Sequence, residues 1–457
     1  MKRVDAKTMV RGAPCLFVGF AVVLAGVGGA LPAAAAKLVL QGATVHPVSG
    51  PDLPQATVLV DGERIAAVGA GVQAPPDARV VNVDGLHVYP ALINASTVLG
   101  LVEISSVRGT VDVSETGDIN PNVRAEAGVN PESELLPVTR ANGVLVAMTA
   151  PRGGLVAGMA AVIRMDGWTR EDMTIKAPVG LLVNWPSMRV NRGAEPGKIE
   201  EQVKARDQRL AKLRQAFADA RAYLTARQAE GQKNVPAHDR DPRWEAMIPV
   251  LRRELPVFVV ADEMQQIRAA LRWGDEEGLA LVFISGGDIG RAAKELAGRR
   301  IPVILTPTYD LPRRRWEPYD APFTIARALH EAGVRFCFSE GGNAFAAANA
   351  RNVPYSAAMA AAYGLPRQEA LRGVTQYAAE ILGVADRLGS VEQGKEATLI
   401  VTDGDPLEIG THVLHAYIAG REVDLGNKQR RLYDKYRARP RPPSTAVPPA
   451  AGGARGR

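Results

Sequence analysis

Cysteine and aromatic residues are scarce in this chain of 457 residues, and one common catalytic motif is missing. Two cysteines are too few for a disulfide scaffold. No Gly-x-Ser-x-Gly segment occurs, which excludes the nucleophile elbow of α/β-hydrolases. Aromatic residues make up 5% of the chain, but 46% is hydrophobic and 23% is charged, which excludes disordered, coiled-coil and collagen-like chains. The length leaves room for an α/β barrel, which takes roughly 250 residues.

The body of the chain also lacks an excess of positive charge. The net charge is +6, but residues 1–36 contribute +3 and residues 427–457 contribute +8, which leaves −5 for residues 37–426. Nucleic-acid-binding domains carry their basic residues on the folded body. We therefore expect no nucleic-acid partner, and the basic character belongs to the C-terminal tail.

The N-terminus has the three parts of a secretory signal. A cationic start is followed by an uncharged apolar run, Cys15 to Leu31, and by the small residues Ala34-Ala35-Ala36. This order predicts that residues 1–36 are a signal peptide, cleaved before Lys37. The mature protein is then expected to be periplasmic or secreted, with no stable membrane span.

The remaining chain divides into four segments by its hydrophobic pattern. Residues 37–90 and 386–425 read as short strands separated by turns, and we expect them to form one composite β-domain. Between them, residues 91–385 alternate apolar strands with helical stretches, which is typical of a parallel sheet buried on both faces. The pattern predicts an α/β fold of the (β/α)8 TIM-barrel type. Residues 426–457 form a basic tail rich in Pro, Ala and Arg, which is predicted to be disordered.

Three segments resemble the amidohydrolase superfamily, in particular its imidazolonepropionase-like branch. They are Val88–Val98 (VYPALINASTV), Gly389–Val401 (GSVEQGKEATLIV) and Asp403–Leu407 (DGDPL). The resemblance extends over residues 37–425. It implies a barrel that holds one or two divalent metals at the C-terminal ends of its strands and hydrolyses C–N or C–O bonds with a metal-activated water.

The first metal ligands of that family are a His-x-His pair on the first barrel strand. Here the pair falls on Ser96 and Val98, which are expected to face the barrel interior, and the preceding aspartate is replaced by Asn94. Valine has no lone pair to donate, and serine is a poor zinc ligand. The first part of the metal site is therefore absent from this sequence.

The later ligand positions also lack histidine. The fifth-strand position falls within Val260 to Asp262, the sixth-strand position on Gly286, and the eighth-strand aspartate on Glu340 or Gly341. From these positions we predict that Ser96, Val98, Asp262 and Gly286 line a pocket. Glu340 is the candidate catalytic residue. We expect no bound metal and no other cofactor.

Three functions remain open on these grounds, the last being a purely structural envelope protein whose basic tail contacts anionic surfaces. The first is a secreted pseudoenzyme of the family, with a degenerate metal site, that binds a small molecule or a homologous amidohydrolase subunit. The alternative is an active hydrolase of non-peptide C–N bonds. Its site would be built from Asp262, Glu263, Asp288 and Glu340, whose carboxylates suit a divalent cation such as Mg²⁺ or Mn²⁺. The same residues could instead cap helices or lie in loops.

Overall fold

The computed structural model describes residues 37–230 and 239–440. The predicted signal peptide and residues 441–457 of the predicted tail lie outside these ranges. Within the described residues, no helix combines the length and apolarity needed to cross a bilayer.

Short strands and helices alternate along most of the described chain. The strands are β1 (Leu38–Val45), β2 (Leu53–Asp61), β3 (Arg64–Gly69), β4 (Arg79–Asn82), β5 (His87–Pro90), β6 (Leu92–Thr97), β7 (Val144–Thr149), β8 (Val156–Arg164), β9 (Thr174–Asn184), β10 (Val257–Val260), β11 (Leu281–Ser285), β12 (Val303–Leu305), β13 (Phe336–Phe338), β14 (Leu399–Thr402), β15 (Val413–Ile418) and β16 (Arg421–Glu422). The α-helices are α1 (Leu135–Arg140), α2 (Arg170–Met173), α3 (Pro196–Ala229), α4 (Pro242–Leu251), α5 (Met264–Glu277), α6 (Ala293–Arg299), α7 (Ile325–Glu331), α8 (Ala344–Ala348), α9 (Val353–Ala362), α10 (Arg367–Gly373), α11 (Gln376–Ile381) and α12 (Lys428–Arg437). Single 3₁₀ turns occupy Arg108–Thr110, Ala125–Gly128, Asp288–Ala292 and Ala350–Asn352.

Strands from both ends of the chain share one sheet. Its order is β16-β15-β14-β5-β1-β2-β3, with β4 paired to β1. The join between the two ends is the antiparallel pair β5–β14, in which Tyr89 lies opposite Ile400. One face of this sheet packs its own apolar core, which includes Leu40, Val58 and Val401.

The second sheet is the barrel. Strands β6 to β13 follow one another around it in chain order, and helices follow most of them, so the predicted α/β barrel is confirmed. One strand was not predicted: β8 runs antiparallel to both β7 and β9. The connection from Thr149 to Val156 is too short for a parallel crossover, which needs a dozen or more residues.

Alternate barrel residues divide into an inner and an outer core, as the two-residue period of a strand requires. The inner side chains include Val146, Leu182, Phe258 and Cys337. The outer side chains pack against the helices, where Trp273 of α5 meets the edge of Phe217 from α3 at 4.9 Å between ring centroids. Side chains therefore fill the interior of the barrel, and we look for a site at its rims, where barrel enzymes carry their chemistry.

The beginning of the predicted tail is ordered. Helix α12 starts at the N-cap Asn427, whose side chain accepts a hydrogen bond from the backbone N of Arg430 at 3.0 Å. The prediction of disorder is thus wrong for residues 428–437. Capping and the absence of Pro and Gly in this stretch favour a helix, whereas the Pro-rich composition begins only at Pro440.

Candidate functional site

The predicted site residues stand at the ends of four barrel strands. Counting from β6, strands β10, β11 and β13 are the fifth, sixth and eighth. Asp262 follows β10 by two residues, Gly286 follows β11 by one, and Glu340 follows β13 by two. Ser96 is the penultimate residue of β6 and Val98 the first residue after it. The carboxyl ends of parallel barrel strands share one rim, which is where barrel enzymes carry their active sites.

Asn94 connects the first strand to the eighth. Its Oδ1 accepts hydrogen bonds from the backbone N of Ser96 and the backbone N of Glu340, each at 3.4 Å. Its Nδ2 donates to the carbonyl of Ala350, also at 3.4 Å, and the side chain is fully buried. Asn94, which replaces the aspartate of the family, therefore links the first and eighth strands in this chain.

Ser96 contacts an arginine that the sequence did not indicate. Nη2 of Arg152 donates to Ser96 Oγ at 2.6 Å. Arg152 follows the second barrel strand, β7, and precedes Gly153-Gly154. A lone basic residue between a buried strand and a glycine pair is the signal that could have marked it, because this rim carries barrel chemistry.

Val98 does not lie in the barrel interior. It belongs to an apolar cluster with Leu101, Val129, Ala147 and Ala350 that is separate from the inner core of the barrel. The expectation that Val98 faces the interior is therefore wrong. The pairing of β6 with β7 is irregular between Asn94 and Thr97, and such a bulge breaks the strict alternation on which the expectation rested.

Glu340 is a buried carboxylic acid at the end of the eighth strand. It is only 3% exposed, and its two oxygens accept hydrogen bonds from the hydroxyls of Tyr309 and, at 2.8 Å, Ser356. Burial raises the pKa of Glu340 to about 7, although both hydroxyls oppose this by favouring the carboxylate. The phenol pKa of Tyr309 is raised as well, by burial and by the adjacent carboxyl group.

The acidic residues after the fifth and sixth strands are bound by arginines. Asp262 accepts from the backbone N of Gly286 at 2.9 Å and lies 3.2 Å from Nη2 of Arg313. Asp288 is 4% exposed and forms a bidentate pair with Arg314, at 2.6 and 2.7 Å. Burial opposes ionisation of Asp288, but Arg314 outweighs it and holds the pKa of that carboxyl below its usual value.

Glu263, the remaining carboxylate of the alternative site, caps a helix. Its side chain and that of Gln266 form a capping box at the start of α5. Its carboxylate also pairs with Arg189 at 2.6 Å.

The clustering of possible metal ligands can be compared with what a metal site needs. In residues 37–230 and 239–440, no three His, Cys, Asp or Glu side chains lie close enough together to hold a metal ion. The carboxylates nearest the rim already have arginine, hydroxyl or backbone partners. A divalent cation would have to displace those partners, and no step of a reaction can be assigned to it here.

A cavity of about 310 Å³ opens beside the sixth strand. Gly286 and Gly287 form one wall, and Trp316 and Leu311 from the loop after β12 form another. Trp316 is 69% exposed, and the guanidinium carbons of Arg291 and Arg314 lie 5.6 Å from the centre of its ring. Glycine at 286 is required here, because a Cβ would lie 2.1 Å from Oγ1 of Thr306. Gly286, one of the predicted pocket residues, thus lines this cavity.

The comparison with protein families gives one match. Residues 322–426, which run from just before α7 to just after β16, match the model described as the amidohydrolase family. The matched segment contains Glu340 and the C-terminal motif from Gly389.

Known proteins similar to this chain include amidohydrolases. The chain is 22% identical over 371 residues to the amidohydrolase tasK of Hapsidospora irregularis, across 76% of this chain but only 37% of that relative. Among solved structures, an amidohydrolase from Thermotoga maritima MSB8 superposes with a TM-score of 0.75 and 26% identity, over 85% of this chain and 99% of the other. Molinate hydrolase, at 16% identity and a TM-score of 0.51 over 86% and 95% of the two chains, shares the fold.

Proposed function

The chain belongs to the amidohydrolase superfamily, and from this premise we propose that it binds a small organic ligand and has lost the metal-dependent hydrolysis of its relatives. The observation that carries the proposal is the state of the acidic groups at the rim. Asp262 and Asp288 are neutralised by Arg313 and Arg314, and Glu340 is enclosed by two hydroxyls. A catalytic metal needs about three protein ligands with free lone pairs.

The cavity beside Gly286 is the proposed binding site. Apolar walls with a few polar groups are typical of small-molecule sites, and here the apolar part comes from Leu311, Trp316 and Ile325. Arg291 and Arg313 lie at its edge together with Asp288 and Glu317, so the polar groups there carry both signs of charge. The second kind of partner, a homologous amidohydrolase subunit, would be detected as a heteromeric complex on gel filtration.

Metal content and hydrolysis together test the loss of catalysis. We expect purified protein to carry much less than one equivalent of Zn, Mn or Fe by mass spectrometry. Panels of amides, esters and lactams should not be turned over with added Zn²⁺ or Mn²⁺. Stoichiometric metal accompanied by metal-dependent hydrolysis would overturn the proposal.

Ligand screening tests the cavity, and the chain offers a matched control. Compounds that raise the thermal midpoint of the parent protein should lose their effect in Trp316→Ala. The effect should persist in Trp168→Ala, because Trp168 is 92% exposed and does not line the cavity. Equal responses of the two variants would place binding elsewhere.

The second candidate function is that of an active hydrolase. The observation that favours it is the environment of Glu340. A carboxyl group with a pKa near 7 at a barrel rim can exchange a proton at neutral pH, as a general acid or base must. Under this alternative, the substrate is a non-peptide C–N bond. Hydrolysis by the parent protein that disappears in Glu340→Gln, while the variant keeps its thermal midpoint, would establish the enzyme.

The proposed location is the periplasm or the extracellular space. It rests on the signal-like order of residues 1–36, which lie outside the described residues. N-terminal sequencing of the protein from an envelope or culture fraction should begin at Lys37. A mature chain that begins at Met1 would contradict both the signal peptide and the location.

A further inference from the structure

Three arginines near the barrel rim and base are largely buried, and they differ in their partners. Arg140 pairs with Asp166, and Arg164 lies 3.7 Å from the carboxylate of Glu396. Arg152, in contrast, has no carboxylate within 4.0 Å among the described residues, and its one side-chain partner is the hydroxyl of Ser96. Its Nε is buried and has no hydrogen-bond acceptor.

An unpaired guanidinium in this position is costly. Burial lowers the pKa of Arg152 to about 10, which still leaves it charged at neutral pH. Taking an ionised group out of water without an opposite charge costs several kcal/mol or more, and guanidinium groups cannot escape the cost by losing a proton. A counter-charge that is supplied from outside the chain would remove this cost.

Hydrogen bonds hold the backbone of Arg152 at this position. The backbone N of Arg152 donates to the carbonyl of Val113 at 2.7 Å, and its own carbonyl accepts from Nδ2 of Asn184 at 3.0 Å. The guanidinium lies directly over Gly342, where an added Cβ would be 1.8 to 2.0 Å from its atoms. Arg152 and Gly342 both keep partial exposure, so solvent reaches this edge of the rim.

We propose that Arg152 and Ser96 form a binding site for the carboxylate of a small organic acid. The two oxygens of a carboxylate match the parallel N–H donors of a guanidinium, and the Ser96 hydroxyl can donate a further hydrogen bond. One guanidinium balances the single negative charge of a carboxylate, whereas a phosphate dianion would remain half-compensated. The site shares no residue with the cavity beside Gly286, and it does not depend on whether the protein is an enzyme.

Thermal unfolding at pH 8 and constant ionic strength tests the site. Sodium acetate and sodium succinate are compared with sodium chloride and with acetamide, the uncharged analogue. The two carboxylates should raise the thermal midpoint of the parent protein, since a ligand at about 100 times its Kd increases the folded-to-unfolded ratio about 100-fold. Chloride and acetamide should not.

Arg152→Met should remove the response, and calorimetry should show succinate binding weakened roughly 10- to 100-fold, the loss of one charged hydrogen-bonded contact. Arg164→Met is the matched control. Its Nε is also buried without an acceptor, but its charge is paired with Glu396, so the carboxylate response should persist. In chloride, the thermal midpoint of Arg152→Met should be at least as high as that of the parent, because the variant loses an uncompensated charge.

Three results would overturn the proposal. They are an absent carboxylate response in the parent protein, a response that persists in Arg152→Met, and stabilisation by inorganic phosphate alone. If Arg152→Met does not fold, Ser96→Ala replaces it. That variant removes the hydroxyl while keeping the guanidinium, and it should weaken succinate binding measurably; unchanged binding would overturn the role of Ser96.

Discussion

Asn94 Oδ1 lies 3.4 Å from the backbone N of Glu340 and thereby joins the first barrel strand to the end of the eighth. These two strands, β6 and β13, are the terminal members of the barrel sheet and are not paired by a ladder. A buried amide that bonds both neighbours is a closing contact of the barrel. Asn94, which stands where the sequence resemblance has an aspartate, is therefore expected to contribute to stability.

Replacing Asn94 by leucine should lower the free energy of unfolding by about 2 kcal/mol, because buried backbone groups lose their partner. Urea unfolding measures the change. Asn120→Ala is the control: its side chain also donates to a backbone carbonyl, that of Gly117 at 3.2 Å, but in an exposed loop. The control should change by less than about 0.5 kcal/mol. Equal losses in the two variants would contradict the closing role.

Glu340 should make stability depend on pH. Its pKa is about 7 in the folded protein and near the ordinary glutamate value of about 4.3 in the unfolded chain. The folded state thus binds the proton more tightly, so the group stabilises fully below about pH 4, and this contribution is lost as pH rises through 7. The full change amounts to about 4 kcal/mol.

In Glu340→Gln, the decline in unfolding free energy between pH 5 and pH 8 should be smaller by most of that amount, because part of the change falls below pH 5. Tyr309→Phe is the informative companion variant. Its hydroxyl favours the carboxylate, so its removal should move the decline to higher pH. A parent protein whose stability does not fall over this range would show that Glu340 ionises at an ordinary pKa.

Some features of the fold and site followed from the sequence, and others could not. Glu340 and Gly286 directly follow barrel strands, and the buried apolar runs of the sequence mark where these strands stop. The direction of β8 was missed, since an apolar run reports burial on both faces and not strand direction. Only the short connection before Val156 carried that information. The contact of Arg152 with Ser96 could not be predicted from the sequence, because a long flexible side chain can reach several neighbours.

Arg314 and Arg315 are adjacent in sequence but should differ strongly in importance. Arg314→Met leaves the buried carboxylate of Asp288 without its bidentate partner and should cost about 3 kcal/mol of unfolding free energy. Arg315 is exposed and makes no ion pair within the described part of the chain, so Arg315→Met should change stability by less than about 0.5 kcal/mol. Denaturant unfolding separates the two. Similar losses of unfolding free energy in the two variants would show that Arg314 and Arg315 act only through their positive charge.

Gly342→Ala should separate stability from ligand binding. An added Cβ would lie 1.8 Å from Cζ of Arg152, but the obstructing atoms are the flexible end of a side chain, which can swing away. We therefore expect a change in unfolding free energy below about 1 kcal/mol, with Arg152 displaced from Ser96.

The same substitution should abolish the carboxylate response described above. Gly298→Ala in α6 is the control, because nothing lies within 4 Å of its Cβ position. That variant should gain roughly 0.5–1 kcal/mol of helix stability and keep the response of the parent protein to acetate and succinate. Thermal unfolding in acetate and in chloride measures both variants. A full carboxylate response in Gly342→Ala would mean that anion binding does not depend on the position of the Arg152 guanidinium. The binding site would then lie in another part of the rim.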